Sequence, residues 1–137
     1  MGSLTREHVR ETLETYIRAW EDQDPDLITT IFTEDATYHE RVLGEPIRSR
    51  GAIREYWQSK VVGSQARINV SLLSLYLDDD TAIAEWRAEF DDKRQGHRKR
   101  MIEIAVLEFR DGRIASLREY WAGENIGELR GEVASTS

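Results

Sequence analysis

The chain has 137 residues, of which 39% are hydrophobic and 33% charged, with a formal net charge of -7. That length suits one domain with a real core, and the acidic balance argues against general nucleic-acid or membrane affinity. Cysteine is absent, which excludes disulfides, thiol catalysis and thiolate metal sites.

The chain opens MGSLTREHVRE, polar and charged at once, so no signal peptide is expected, and no apolar run is long enough for a membrane span. These features together point to a cytoplasmic protein. Val9, Leu13, Tyr16, Ile17 and Trp20 fall at helical spacing, with Thr5 as the cap and Glu7 suited to the first turn. Asp24-Pro25 restarts a short helix whose buried side carries Leu27, Ile28, Ile31 and Phe32. A short strand is expected over 36–41, then a turn at Gly44-Glu45-Pro46. Ser49 caps a third helix in which Ile53, Trp57 and Val61 share a face.

After Gly63 the period changes to two. Ile68, Val70 and Leu72 alternate, and Leu73, Leu75 and Leu77 follow in the opposite phase, so a bulge is expected near Leu72–Leu73. A turn at Asp78-Asp79-Asp80 leads to a strand over 81–91. Ala82, Ala84, Trp86, Ala88 and Phe90 lie on one of its faces and Glu85, Arg87 and Glu89 on the other. The hairpin DDKRQG leads to a strand over 97–110, Asp111-Gly112 makes a tight turn, and a last strand runs from 113 to 121. The tail from Glu124 is polar and reads as flexible, leaving an ordered core of about 5–123 in one domain spanning 1–137. Helices in the N-terminal half followed by a meander of long strands make an α+β fold, with three helices on one face of a strongly bent, mostly antiparallel sheet.

Three stretches in this order, YIRAWEDQDPDLITTIFTEDATYHE, SRGAIREYW and VLEFRDGRIASLREYW, resemble the nuclear transport factor 2-like superfamily and, within it, the SnoaL-like polyketide-cyclase group. The resemblance covers about residues 6–122. It implies a cone in which a curved sheet and its helices enclose a pocket, and a homodimer through the outer sheet face, where Ile102, Ile104 and Val106 would lie. Similarity to ketosteroid isomerase puts a catalytic tyrosine at Tyr16 and a carboxylate base at Glu40. That family's second oxyanion donor falls near Ala105, with Glu103 on the same strand face. Similarity to limonene-epoxide hydrolase sets an arginine–acid pair at Arg87 and Glu89, a further acid at Glu119, and water-holding groups at Tyr38 and Glu40.

Period two sets Tyr38 and Glu40 on one face, and Leu117, Glu119 and Trp121 on another. Turned inward, these give a pocket in which Arg87 sits among Glu40, Glu89 and Glu119, bounded by Tyr16, Trp20, Trp57 and Trp121. The other orientation leaves Arg87 and Glu89 solvated, with Trp86 and Phe90 inside. Crowded buried carboxylates raise at least one pKa, which equips a site for proton transfer. The expected catalytic groups are Glu40, Arg87, Glu89, Glu119 and Tyr16. The expected ligand contacts are Trp20, Tyr38, Trp57, Glu103 and Trp121. Neither a cofactor nor a metal is expected, because His8, His39 and His97 lack ligand spacing and no phosphate loop or dinucleotide fingerprint occurs. The basic run KRQGHRKR reads as a solvated hairpin tip.

The functional expectation is a cofactor-independent acid–base enzyme, an isomerase, cyclase, dehydratase or epoxide-hydrolase-like catalyst, acting on a small hydrophobic molecule. The alternative is a non-catalytic ligand-binding or dimeric interaction domain of the same fold.

Overall fold

In the computed structural model, which describes residues 4–129, the first helix, α1 (Arg6–Glu21), starts at Thr5, whose hydroxyl accepts from the His8 N–H at 3.1 Å. Its buried face carries Val9, Thr12, Leu13, Tyr16, Ala19 and Trp20, while Ile17 is only half-buried. Asp24 caps α2 (Pro25–Thr29) by accepting from the N–H groups of Asp26 and Leu27, and Pro25 occupies the first turn, where its missing N–H is harmless. Strand β1 (Phe32–His39) begins earlier than expected, because Phe32 and Ala36 are already committed to the core ahead of Tyr38. Glu40 therefore lies just past the strand, in a bend.

A two-residue strand, β2 (Ile47–Arg48), pairs back on β1, and Ser49 caps α3 (Arg50–Trp57). Helix α3 runs into a single π-helical turn, Gln58–Val62, which the side-chain pattern did not announce. Four long strands follow: β3 (Gln65–Asp78), β4 (Thr81–Asp92), β5 (His97–Arg110) and β6 (Arg113–Glu128). The sheet order is β2-β1-β6-β5-β4-β3, with β1 parallel to β6 and every other pair antiparallel. The sheet is curved but not closed, and α+β is the fold class.

The predicted bulge is present. The β3–β4 register slips between Leu72 and Ser74, as the inward phase passes from Ile68, Val70 and Leu72 to Leu75 and Leu77. A second slip lies between Ala66 and Asn69, where Arg67 takes a positive φ of 49°. Two bulges in one edge strand bend it, so that the sheet can wrap its inward face around the helices. That inward face presents Ala82, Ala84, Trp86, Ala88 and Phe90 from β4 and Ala105, Leu107 and Phe109 from β5 to the helices.

The expected flexible tail needs correction. Residues Glu124 to Glu128 continue β6, pairing with β5 at Glu124↔Arg100, Asn125↔Lys99 and Glu128↔His97. The reason is β5 itself: it starts at His97, well before β6 would otherwise reach it, and its open backbone edge templates a polar segment as readily as an apolar one. Residues from 130 onward lie outside those described. Among the described residues no helix is long and apolar enough to cross a membrane.

Gln23 fastens the helical layer to the sheet. It sits at φ 53°, and its amide donates to the carbonyls of Val61 at 2.8 Å and Gln65 at 2.7 Å, holding the end of the π-turn beside the start of β3. Gln23→Ala frees both carbonyls in a half-buried setting. Stability is expected to fall by roughly 1–3 kcal/mol, seen as a lower urea midpoint with an unchanged slope.

Candidate active site

Four polar side chains converge deep between α1 and the sheet. Tyr16 comes from the buried face of α1, Tyr38 from β1, Glu103 from β5 and Glu119 from β6. The parallel pairing of β1 and β6 sets Tyr38 opposite Leu117, two positions before Glu119 on the same face, which brings the phenol to the carboxylate. Glu119 faces Ala105 across the β5–β6 ladder, and that small, fully buried side chain leaves room for a carboxylate. Glu103 pairs with Trp121, so Glu103 and Glu119 are diagonal neighbours on one sheet face.

The contacts form a triangle. The Tyr16 hydroxyl lies 3.2 Å and the Tyr38 hydroxyl 3.1 Å from Glu119 Oε2, and the two hydroxyls are 2.9 Å apart. Each phenol has one proton, so both can donate to the carboxylate at once while the third edge stays a close oxygen contact. Glu119 is 7% exposed and Glu103 2%.

Burial pushes the Glu119 carboxyl up to about 7, and the charge of Glu40 adds to the rise. Hydrogen bonds involving Glu103, Tyr38 and Tyr16 hold it back from rising further. The Glu103 carboxyl is pushed well above the ordinary carboxylate range, first by burial and then by the charge and hydrogen bonding of Glu119. One proton between two adjacent carboxyls is the natural state of such a pair near neutral pH. Glu103 Oε2 is buried and makes no hydrogen bond among the described residues, and the Trp86 indole, its neighbour across the β4–β5 ladder, holds the Glu103 carboxyl back from rising further. Burial, and next the Glu119 charge, raises both Tyr16 and Tyr38, so the phenols stay protonated and act as donors.

These groups line a cavity of about 470 Å³. Its walls are aromatic. Tyr16 stacks on Trp86 at 4.8 Å between centroids and meets Trp57 edge-on at 5.5 Å, and Tyr38 packs on Tyr56 at 5.5 Å. Trp20 also lines the cavity, its indole N–H donating to Gln65 Oε1 at 2.8 Å. Trp121 walls the outer part, with its N–H on the Glu40 carbonyl at 3.2 Å and the Arg41 guanidinium 5.4 Å above its ring.

Of the expected residues, Tyr16, Trp20, Tyr38, Glu40, Trp57, Glu103, Glu119 and Trp121 all border this cavity. Glu40 stands at its mouth, with its side chain 23% exposed, 3.7 Å from Lys60 of the π-turn. Arg87 and Glu89 do not belong to it. They lie on the opposite, convex face, where Arg87 contacts Glu89 at 2.9 Å and Arg100 contacts Glu89 at 3.0 Å. The physical reason is the period of the strand. The even positions Ala82 to Phe90 fill the core, and period two then forces Arg87 and Glu89 outward.

Tyr56, Lys60 and Gln65 were not anticipated. Tyr56 at the end of α3 and Lys60 in the π-turn after it are four apart, a spacing that could have been read as one face; nothing in the pattern marks Gln65. Among the described residues no group of three His, Asp or Glu side chains is arranged to hold a metal.

A family model described as a SnoaL-like domain matches residues 13–117. The steroid Delta-isomerase of Nocardioides simplex is 25% identical over 114 residues, covering 83% of this chain and 89% of that protein. An epoxide hydrolase of M. tuberculosis, similar to limonene-epoxide hydrolases, superposes with a TM-score of 0.71 at 21% identity, over 95% of this chain and 96% of its own. An epoxide hydrolase/cyclase-like enzyme of pyran ring formation in the polyether salinomycin superposes with a TM-score of 0.75 at 24% identity, over 88% and 97%. The family pattern runs from within α1 into β6, and the cone-like fold extends over nearly the whole of both solved chains: this chain belongs to the SnoaL-like domain family of the nuclear transport factor 2-like superfamily.

Proposed function

We propose that the protein is a cofactor-independent acid–base enzyme acting on a small hydrophobic molecule, of the isomerase, cyclase, dehydratase or epoxide-hydrolase-like type. The observation that carries this reading is the buried Glu119–Glu103 pair, facing an aromatic cavity and braced by two phenols. Glu119, with its carboxyl near 7, is poised to take a proton from carbon or water. Glu103, kept protonated by burial, donates to the oxygen that gains charge. The pair begins and ends with one proton, passed back from Glu119 to Glu103 after turnover. Tyr16 and Tyr38 orient the Glu119 carboxylate. Glu40 is a third carboxylate at the mouth, tied to Lys60, and suits a second proton-transfer role on that side. The names of the relatives, a steroid isomerase and epoxide-opening enzymes, agree with this range of chemistry.

One observation favours the alternative of a non-catalytic ligand-binding domain. Both tyrosine hydroxyls are already engaged with Glu119 rather than open toward a substrate oxyanion. The same proposal includes a homodimer through the convex sheet face, where Leu73, Tyr76, Ile83, Ile102 and Tyr120 are exposed. Sedimentation at micromolar concentration is expected to give a dimer, and a monomer there would remove it.

The deciding experiment is a turnover screen of small apolar carbonyl compounds and epoxides in deuterated and ordinary water. For an active compound, kcat/KM is expected to rise with pH through about 7, as Glu119 ionises. Glu119→Gln should lose that limb and about 100-fold or more in rate, whereas Arg87→Ala on the convex face should leave it unchanged. Saturable thermal stabilisation with no turnover would favour the binding domain. A Glu119→Gln variant with the parent rate and pH profile would sink the acid–base role.

The same burial has a consequence for folding. An acid whose pKa is raised on folding holds its proton more tightly in the folded state, so its penalty is absent below the ordinary value of 4.5 and complete above about 7. Stability is therefore expected to fall as pH rises through that window, by on the order of 3 kcal/mol from Glu119. Chemical denaturation at pH 5 and pH 8 should show the drop in the parent chain and most of it gone in Glu119→Gln.

A further inference from the structure

We propose that the ligand this cavity takes is a hydrophobic organic cation, a protonated or quaternary amine, which settles against the aromatic walls and pairs with the Glu119 carboxylate in place of the proton Glu119 otherwise takes up, Glu103 keeping its own. This deepens the acid–base reading by naming its substrate class, and rests on that reading's carboxyl pair.

The argument begins with which charges are already matched. Three cationic side chains line the cavity, all toward its mouth, and each is occupied. Lys60 is 3.7 Å from Glu40, Lys99 is 3.8 Å from Asp92, and Arg41 lies over the Trp121 ring. Glu103 and Glu119 alone among the buried acids of the cavity have no basic partner within salt-bridge distance among the described residues. The groups that face Glu119 are the hydroxyls of Tyr16 from α1 and Tyr38 from β1, the carboxyl of Glu103 from β5, and at longer range the charge of Glu40 at the end of β1. All are neutral or acidic. Tyr56 from α3 adds another neutral phenol, and the Trp86 indole faces Glu103 across the β4–β5 ladder. A buried carboxylate without a counter-charge either keeps a proton or waits for a cation.

A second observation concerns the walls. Trp20, Trp57, Trp121 and Tyr56 stand around the space those carboxyls face. Electron-rich ring faces attract ammonium groups, most strongly where water is excluded, and rings with a nearby carboxylate are how quaternary amines are held. Glu103 Oε2, fully buried and without a hydrogen bond among the described residues, is an acceptor that the N–H of a protonated amine would complete. A cavity of about 470 Å³ has room for an amine bearing a ring or a branched chain. A neutral ligand of the same shape would gain the wall contacts but leave the carboxyl pair protonated.

Proton displacement fixes the sign of the pH dependence. A permanently charged ligand competes with a proton held at about 7, so its affinity should climb as pH rises toward 7 and level off above. The probes are benzyltrimethylammonium and its neutral isostere 2-methyl-1-phenylpropan-2-ol, titrated into the whole chain by calorimetry from pH 6.0 to 8.5. The cation is expected to bind at least about 10-fold more tightly than the alcohol at pH 8.5, and to gain about 10-fold across the range. Calorimetry at pH 6.0 in two buffers of different ionisation enthalpy should report close to one proton released per cation and none per alcohol. Glu119→Gln should flatten the pH dependence, and the proton count in the parent chain tests the idea even if that variant folds poorly. Equal or tighter binding of the alcohol, a pH-independent cation affinity, or no binding of either probe would overturn the proposal. The last result beside Glu119-dependent turnover of a neutral compound would leave the acid–base reading standing. Cation binding with no Glu119-dependent turnover would do the reverse.

Discussion

The interaction on which this structure turns is the burial of the Glu119 carboxylate without a basic partner. An unpaired charge in a protein interior is expensive unless hydrogen bonds replace its hydration. Here the compensation comes from two phenols and a neighbouring carboxyl, drawn from three other elements of the fold. Each depends on a particular feature of the topology. The parallel seam between β1 and β6 delivers Tyr38, the packing of α1 on the concave face delivers Tyr16, and the β5–β6 register delivers Glu103, with Ala105 leaving the space. A shift of one residue in any of these pairings would turn a partner to the other face and leave Glu119 stranded.

The rest of the architecture keeps that cluster dry on one side and reachable on the other. Two bulges curve β3, so the sheet can wrap around the helices, and Trp86 and Trp57 seal Tyr16 from both directions. The mouth is built from different material: a bend at Glu40, a π-turn carrying Lys60, and the polar extension of β6 that reaches Glu128. Gln23 and Gln65 join the π-turn and the start of β3 to the C-terminal end of α1 by hydrogen bonds to main chain and indole. On the convex face, Arg87, Glu89 and Arg100 make a solvated ladder that has no part in the cavity. Such exposed pairs contribute little to stability and serve mainly to keep that surface polar.

A shared fold does not carry a shared reaction. The deep end of this cavity holds two glutamates, one of them facing an alanine, with both phenols turned to a carboxylate. That arrangement concentrates proton-holding capacity at a single point. It also leaves a deficit of positive charge there, which follows from which side chains meet and not from the net charge of the chain.

Much of this was written in the chain. Helical spacing on Val9, Leu13, Tyr16 and Trp20, the caps at Thr5, Asp24 and Ser49, and the phase change at Leu72–Leu73 are local, and local patterns determine local structure. Alternation alone grouped Leu117, Glu119 and Trp121, and Tyr38 with Glu40, on the faces they occupy. Alternation cannot say which face is inward, and for β4 that depends on which set of side chains fills the core: Trp86 and Phe90 did, so Arg87 and Glu89 went out. The continuation of β6 through a polar segment, the π-turn that brings Lys60 to Glu40, and the contact of Gln65 with Trp20 leave no trace in periodicity, because each depends on a partner distant in sequence. The sequence by itself determined the main helices and strands, which residues share a face, and the family. The tertiary structure decided that Glu103 and Glu119 meet, because a shared proton requires two carboxyls brought together across a ladder, and no single strand contains that information.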